Sequence, residues 1–329
     1  MLPFLILAAC AGSGDKSDDN KTDPVIQAIV YHQEGRFAGW PANNGAWSFD
    51  KDEMLVGFTE ATYVLKKGHN IEKPYRSWLA RSTDGGESWK AWDPENYVGD
   101  FGKKPEIKTL DEPINFQNKK FAMRVVGTAY HGAEDPRGHF FYSYDAGQSW
   151  NGPFGFGDLQ NHEELTRYWD EVELTPRTDY LVTGPGECII FMSARPKGKS
   201  GKDRLFCVKT SDGGQSFEFL SWIIRPFKKE EVDQAVKVPL YEDQETNPWS
   251  TRCRAVMSQS FALENGDILT VMRRKYKVKG LETKNWVDAY LSKDKGQTWT
   301  FQSKVGDSGE GNGNPPSMAR TKDGRFVAV

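Results

Sequence analysis

The chain has 329 residues, 37% of them hydrophobic and 13% aromatic, with 32 Gly and 11 Trp. That length allows a large core in one domain, and the Gly and aromatic content suits a hairpin-rich all-β protein. A formal net charge of −3 offers no basic face, so no nucleic-acid partner is expected.

The first nine residues, MLPFLILAA, are apolar and lead into Leu7-Ala8-Ala9-Cys10. Small residues ahead of a Cys match the bacterial lipoprotein signal, in which Cys10 is lipidated and becomes the first mature residue. No Lys or Arg precedes the run, which places the expected true start upstream. Residues 11–23, AGSGDKSDDNKTD, read as a flexible polar tether. Residues 1–23 are thus expected to be signal and tether, and residues 24–329 the folded domain. The domain is expected outside the cytoplasm of a Gram-negative bacterium, held to the membrane only by the lipid on Cys10. No later run is long enough to cross a bilayer.

Short β-rich runs follow between Gly, Pro, Asn and Asp clusters, with no sustained helical period. Residues 25–31 and 53–58 are expected strands ahead of Ser82-Thr83-Asp84-Gly85-Gly86-Glu87-Ser88-Trp89. The pattern returns as Ser143-Tyr144-Asp145-Ala146-Gly147-Gln148-Ser149-Trp150, as Thr210-Ser211-Asp212-Gly213-Gly214-Gln215-Ser216-Phe217 and as Ser292-Lys293-Asp294-Lys295-Gly296-Gln297-Thr298-Trp299. In such a turn the Asp carboxylate accepts backbone N–H groups, the Gly supplies a positive φ, and the ring packs under the hairpin. The Asp residues stand 61, 67 and 82 positions apart (84 to 145, 145 to 212, 212 to 294), which suits one four-stranded unit per copy.

This motif is the Asp box, and the chain resembles the sialidase-like, BNR-repeat β-propellers over about residues 25–329. The resemblance implies an all-β, six-bladed β-propeller whose boxes join the third and fourth strands of each blade on the rim away from the pocket. Blades one to four are expected over residues 25–97, 111–155, 175–222 and 252–304. A fifth begins at residue 313 and stops mid-strand, so the chain is expected to lack the rest of that blade and a sixth. The resemblance also implies an exported glycoside hydrolase, exo-α-sialidase-like, that removes terminal acidic sugars. A monomer without cofactor or metal is expected.

Arg36, in Gly35-Arg36-Phe37-Ala38-Gly39-Trp40-Pro41, occupies the place of the family Arg that opens a clamp on the substrate carboxylate, and Arg273 that of the second. A planar guanidinium presents the paired donors a carboxylate wants. The blade-one loop has no counterpart of the family acid/base Asp. His69, thirteen residues before Ser82, and Glu60 are therefore the catalytic candidates, since imidazole and carboxylate can both move a proton. The family Glu falls near Met257 or Ser258, neither of them acidic. Arg177, Asp179 and Tyr180 crowd the entry to an inner strand, where buried polar groups need partners or ligands, and they join the substrate-binding candidates. Trp40, with Trp47 behind it, offers a ring for stacking a sugar. His131 and His162 lie on long connections and rank lower. Cys188, Cys207 and Cys253 show no CxxC spacing and read as buried thiols. A uronic-acid glycosidase or polysaccharide lyase working through His, and a non-catalytic glycan-binding propeller, stay open beside the first reading.

Overall fold

The computed structural model describes residues 27–66, 69–97, 104–127, 135–226, 253–277, 282–311, 313–321 and 323–328. Cys10, the tether and His131 lie outside the described residues. Within them the chain is all β, with antiparallel sheets following one another in chain order as the blades of a propeller arrangement.

Blade one contains β1 (Arg36–Gly39), β2 (Ala46–Ser48), β3 (Met54–Tyr63), β4 (Ile71–Ser82) and β5 (Lys90–Trp92), with β1 and β2 lying along the two ends of β3. Blade two contains β6 (Ala122–Val126), β7 (His139–Ser143) and β8 (Asn151–Phe154). Blade three contains β9 (Val172–Leu174), β10 (Tyr180–Gly184), β11 (Glu187–Pro196), β12 (Arg204–Thr210) and β13 (Glu218–Trp222), with β9 and β10 both on β11. Blade four is the most regular: β14 (Arg254–Ala262), β15 (Ile268–Tyr276), β16 (Lys284–Ser292) and β17 (Thr300–Asp307), in that spatial order. A last hairpin pairs β18 (Met318–Arg320) with β19 (Phe326–Ala328).

Apolar residues on both faces of the central strands pack between neighbouring sheets. Leu55, Leu79, Phe141 and Trp150 join blades one and two. Met123, Phe140, Ile190 and Phe206 join two and three, and Phe191, Leu205, Ala255 and Met272 join three and four. Stability is thus largely interfacial, at about 25 cal/mol per Å² of apolar surface removed from water.

Each box closes the turn between the last two strands of its blade. In the first, Ser82 Oγ donates to Asp84 Oδ1 at 2.7 Å, and Ser88 N and Oγ donate to the same carboxylate at 3.0 and 2.5 Å. The other three repeat this geometry around Asp145, Asp212 and Asp294. A box also touches the blade before it. At Gly213, φ +73°, a Cβ would stand 2.5 Å from Pro113 Cβ, so neither the backbone angle nor the space admits a side chain.

Three expectations need correction. Residues 27–31 form no strand, and the first strand of the blade is β1 with β2 instead. That strand is interrupted because Trp40 takes a left-handed φ of 59° and Pro41, with no N–H to give a ladder, opens a 3-10 turn over Pro41–Asn43. Blade three begins at Val172, ahead of the expected 175. Among the described residues blade two shows three strands rather than four, residues 104–121 carrying only the isolated bridge of Lys108 to Phe154.

The box carboxylates are structural. Hydrogen bonding, chiefly from the Ser88 side chain, pulls the Asp84 carboxyl down to about 2, so its contribution is present above the ordinary carboxylate range and lost as pH falls through that value. For the more enclosed second box, Asp145→Ala should lower unfolding free energy by about 1–3 kcal/mol, read from the shift of a urea transition at neutral pH. An unchanged midpoint would remove the box as a staple.

Candidate functional site

In blade one, Met54 lies opposite Ser82 at the box end, whereas Arg36 lies opposite Thr62 at the other. Arg36 and Glu60 therefore stand at the end of the sheet away from Asp84. Arg36 Nη2 donates to Glu60 Oε2 at 2.7 Å, its Nε donates to Oε1, and Nη1 donates to Thr62 Oγ1 at 2.8 Å. The Glu60 side chain is 2% exposed and that of Arg36 31%. The hydrogen bond that it donates to Glu60 raises the Arg36 guanidinium above its ordinary value. Three of the five guanidinium N–H donors are thus engaged, and Arg36 is first of all the partner of Glu60.

The break between β1 and β2 turns side chains inward. The Trp40 ring sits 4.9 Å from Phe37 and 4.9 Å, edge-on, from the exposed His69 on the β3–β4 hairpin. Asn44 is fully buried, with Nδ2 donating to Trp40 O at 3.1 Å and to Thr59 Oγ1 at 3.3 Å. Its Oδ1 has no hydrogen-bond partner among the described residues. Trp47, the second stacking candidate, instead donates from Nε1 to Tyr180 Oη at 3.1 Å.

Blade three has the matching break between β9 and β10, and its residues reach three other blades. Arg177 Nε donates to Asn43 Oδ1 of blade one at 2.6 Å, and Nη1 donates to the carbonyls of Thr175 and Pro176 at 3.2 and 2.9 Å. Thr178 Oγ1 accepts from Arg124 Nη1 and Val125 N of blade two at 3.0 and 3.2 Å. Asp179 accepts from Ser260 N and Oγ of blade four at 3.1 and 2.9 Å. Tyr180 Oη also accepts from Met123 N at 3.1 Å, and burial raises its phenol. Arg177, Asp179 and Tyr180, expected at a substrate pocket, are inter-blade braces. Their side chains are committed to protein partners.

Arg273 lies on β15 of blade four, 6% exposed, with Nη1 donating to Gly313 O at 3.1 Å. His162 accepts from Glu164 N through Nδ1 at 3.2 Å, capping the single helical turn Glu163–Thr166, and stacks on Phe219 at 5.2 Å. It is structural.

The structure brings together Arg36 with Glu60 and Trp40 with His69 at one end of blade one, while Arg177, Asp179 and Tyr180 form a second group inside the molecule. Arg124, fully buried with its guanidinium 5.6 Å from the Tyr97 ring, was not singled out from sequence, nor were Asn43 and Asn44. The Asn-Asn-Gly cluster after Pro41 reads as an ordinary turn, and only the fold reveals that Asn43 meets Arg177. Among the described residues no group of three or more His, Cys, Asp or Glu could hold a metal ion.

Burial pushes the Asp179 carboxyl up to about 6, against the pull of its serine donors. The folded value is above the ordinary one, so this group's contribution to stability is fully present below about pH 4 and is lost as pH rises through about 6. Asp179→Asn should abolish that slope and gain on the order of 2–3 kcal/mol relative to the parent between pH 4 and 8, measured by urea unfolding across the range. Parallel pH profiles for the two chains would refute the assignment.

No protein-family model matches the chain, and no curated protein sequence matches it. Among solved structures, a protein of unknown function from Dyadobacter fermentans superposes with a TM-score of 0.53 at 15% identity, over 91% of this chain and 76% of that one. An α-L-arabinofuranosidase from Fusarium graminearum bound to an iminosugar inhibitor gives a TM-score of 0.49 at 14% identity, over 90% of this chain and 78% of that one. An α-L-arabinanase from Penicillium chrysogenum bound to arabinobiose gives 0.44 at 14% identity, over 80% and 70%. The chain shares its overall fold with the Dyadobacter protein, a likeness of architecture alone.

Proposed function

We propose that this propeller is a glycoside hydrolase that removes terminal acidic sugars from glycans, working at the end of blade one opposite its Asp box. The observation that carries the reading is the pairing of Arg36 with a buried Glu60 beside the Trp40–His69 aromatic pair. A carboxylate fixed in two-point contact is oriented without further cost at the moment of reaction, as a general base or nucleophile must be. His69, exposed on the neighbouring hairpin, serves as the proton donor to the leaving oxygen. Trp40 provides the ring face against which the apolar side of a sugar stacks. Arg36 keeps part of its side chain open and presents positive charge to an acidic substituent while holding Glu60 in place.

In this reading the boxed blades belong to a six-bladed ring of the sialidase type. The protein is exported and held to a membrane by lipid on Cys10, as Leu7-Ala8-Ala9-Cys10 suggests. A second reading, a glycan-binding propeller without catalysis, is favoured by one observation: Glu60 is almost wholly enclosed and already neutralised by Arg36.

Steady-state kinetics on a panel of sialosides and uronosides separate the two. Glu60→Gln and His69→Ala should each lower turnover by about 10²–10⁴-fold with little change in KM. Arg36→Met should lose its discrimination between an acidic sugar and the analogue without the carboxylate, and it should also destabilise the fold by about 3 kcal/mol by stranding Glu60. Full turnover in Glu60→Gln would end the catalytic reading. Retained binding with no turnover in the parent chain would establish the second.

A further inference from the structure

Trp40, at the open end of blade one, takes a φ of 59° and a ψ of 50°. A bulky aromatic residue enters this left-handed region only where its surroundings impose it, at about 1–3 kcal/mol, and such residues gather at functional sites. Asn70 and the box residues Ala146 and Lys295 share the angle within hairpin turns, whereas Trp40 lies between two strand segments, β1 and β2, that pair with the same β3. The conformation leaves its indole 4.9 Å from the Phe37 ring and 4.9 Å, edge-on, from His69. Gly39 makes room for this stack, since a Cβ there would stand 2.8 Å from Phe37 Cζ.

The groups that impose this backbone converge on the turn that follows. Trp40 O accepts from Asn43 N at 3.0 Å and from Asn44 Nδ2 at 3.1 Å. The same Nδ2 donates to Thr59 Oγ1 of β3, so the two N–H groups of one buried amide tie the left-handed residue to the neighbouring strand. Asn44 is itself seated. Its N donates to Pro41 O at 2.8 Å, and its carbonyl accepts from the buried Tyr97 Oη at 2.6 Å. A Cβ at Gly57 would stand 2.8 Å from Asn44 Cβ and run into Tyr97 Oη, so the seat exists because residue 57 carries no side chain. From blade three, Arg177 Nε reaches the same turn by donating to Asn43 Oδ1 at 2.6 Å.

We propose that Asn44 is the positioning residue of this site: it holds the Trp40 carbonyl so that the indole keeps its place between Phe37 and His69, while Tyr97 and Arg177 lock the turn from either side. Asn44 touches no substrate and acts through Trp40. A smaller residue without the amide would release the Trp40 carbonyl, and the backbone would relax toward an ordinary strand angle and carry the ring with it. The importance of the ring for a sugar rests on the reading given under Proposed function. The placement of the ring does not, and it can be read without any substrate.

Fluorine NMR of the full chain labelled with 5-fluorotryptophan tests the placement, the Trp40 resonance being assigned by its loss in Trp40→Phe. In the parent, His69→Ala should shift that resonance, because the imidazole lies against the indole. Asn44→Ala should move the resonance and abolish its response to His69→Ala, while Trp286 of blade four keeps its position and reports an intact fold. Steady-state kinetics on 4-nitrophenyl sialoside supply the functional arm. Asn44→Ala should raise KM about five-fold with a smaller effect on kcat, and by less than about two-fold in a Trp40→Ala background, as a residue acting through Trp40 must. A Trp40 resonance that stays in place in Asn44→Ala and still answers His69→Ala overturns the proposal, whatever the loss of stability, and so does an undiminished KM effect in the Trp40→Ala background. Should Asn44→Ala not fold, Tyr97→Phe removes only the hydroxyl that donates to Asn44 O, and an unmoved Trp40 resonance there refutes the proposal. Absence of turnover in the parent would end the hydrolase reading, and the fluorine spectra would still decide the role of Asn44.

Discussion

The arrangement of the blades depends on the break in the inner strand of blade three. Between β9 and β10, residues 176–178 leave the ladder, and the buried polar side chains of residues 175–179 must find partners inside the protein, because an unpaired buried group costs about 1–3 kcal/mol. Each finds one in a different direction. Thr175 Oγ1 donates to Asp203 of its own blade, which also accepts from Arg254 of blade four. Arg177 turns to blade one, Thr178 to blade two and Asp179 to blade four. One irregular stretch thus sets the spacing of four sheets whose apolar contacts are otherwise non-directional. Thr178 and Tyr180 bond directly to the backbone of β6 in blade two.

The end of blade one uses the same device for a different purpose. Trp40 and Pro41 break the strand there too, but its aromatic and charged groups stay partly open to solvent. A buried ion pair such as Glu60 with Arg36 adds little net stability once desolvation is counted, so its worth lies in fixing where the carboxylate points. The contrast between the two breaks, one closed by protein partners and one leaving Trp40 and the neighbouring Arg36 part-exposed, separates structural polar residues from candidates for chemistry more sharply than residue type does.

The boxes were legible because their logic is local. Ser82, Asp84, Gly86 and Ser88 lie within one turn and their side-chain bonds stay inside it, so spacing alone reveals them, and with them the two strands that each box joins. The inner strands were not. Residues 25–31 have the apolar run of a strand, yet the observed strand starts at Arg36 and tolerates Pro41 because β2 resumes the pairing beyond it. Arg36 and Glu60 were each chosen from the sequence, but their contact spans two strands and is set by a register that turn residues do not encode. Arg177 and Asn43 lie 134 positions apart, and Asp179 and Ser260 lie 81 apart. Such partners can only be found after the sheets are stacked, which is why Arg177, Asp179 and Tyr180 read as a ligand site from sequence and as braces in the fold.

The boxes also have a direction. Gly147 of the second box lies against Leu55 of blade one, Gly213 of the third against the Pro113–Ile114 segment leading into blade two, and Gly296 of the fourth against Leu220 of blade three. Every one of these contacts reaches back toward the N-terminus. The molecule therefore behaves as a row of overlapping shingles, each tile held down by the one that follows. In such a row, damage to a box loosens the sheet behind it before its own, and each blade reaches full cohesion only after its successor is laid.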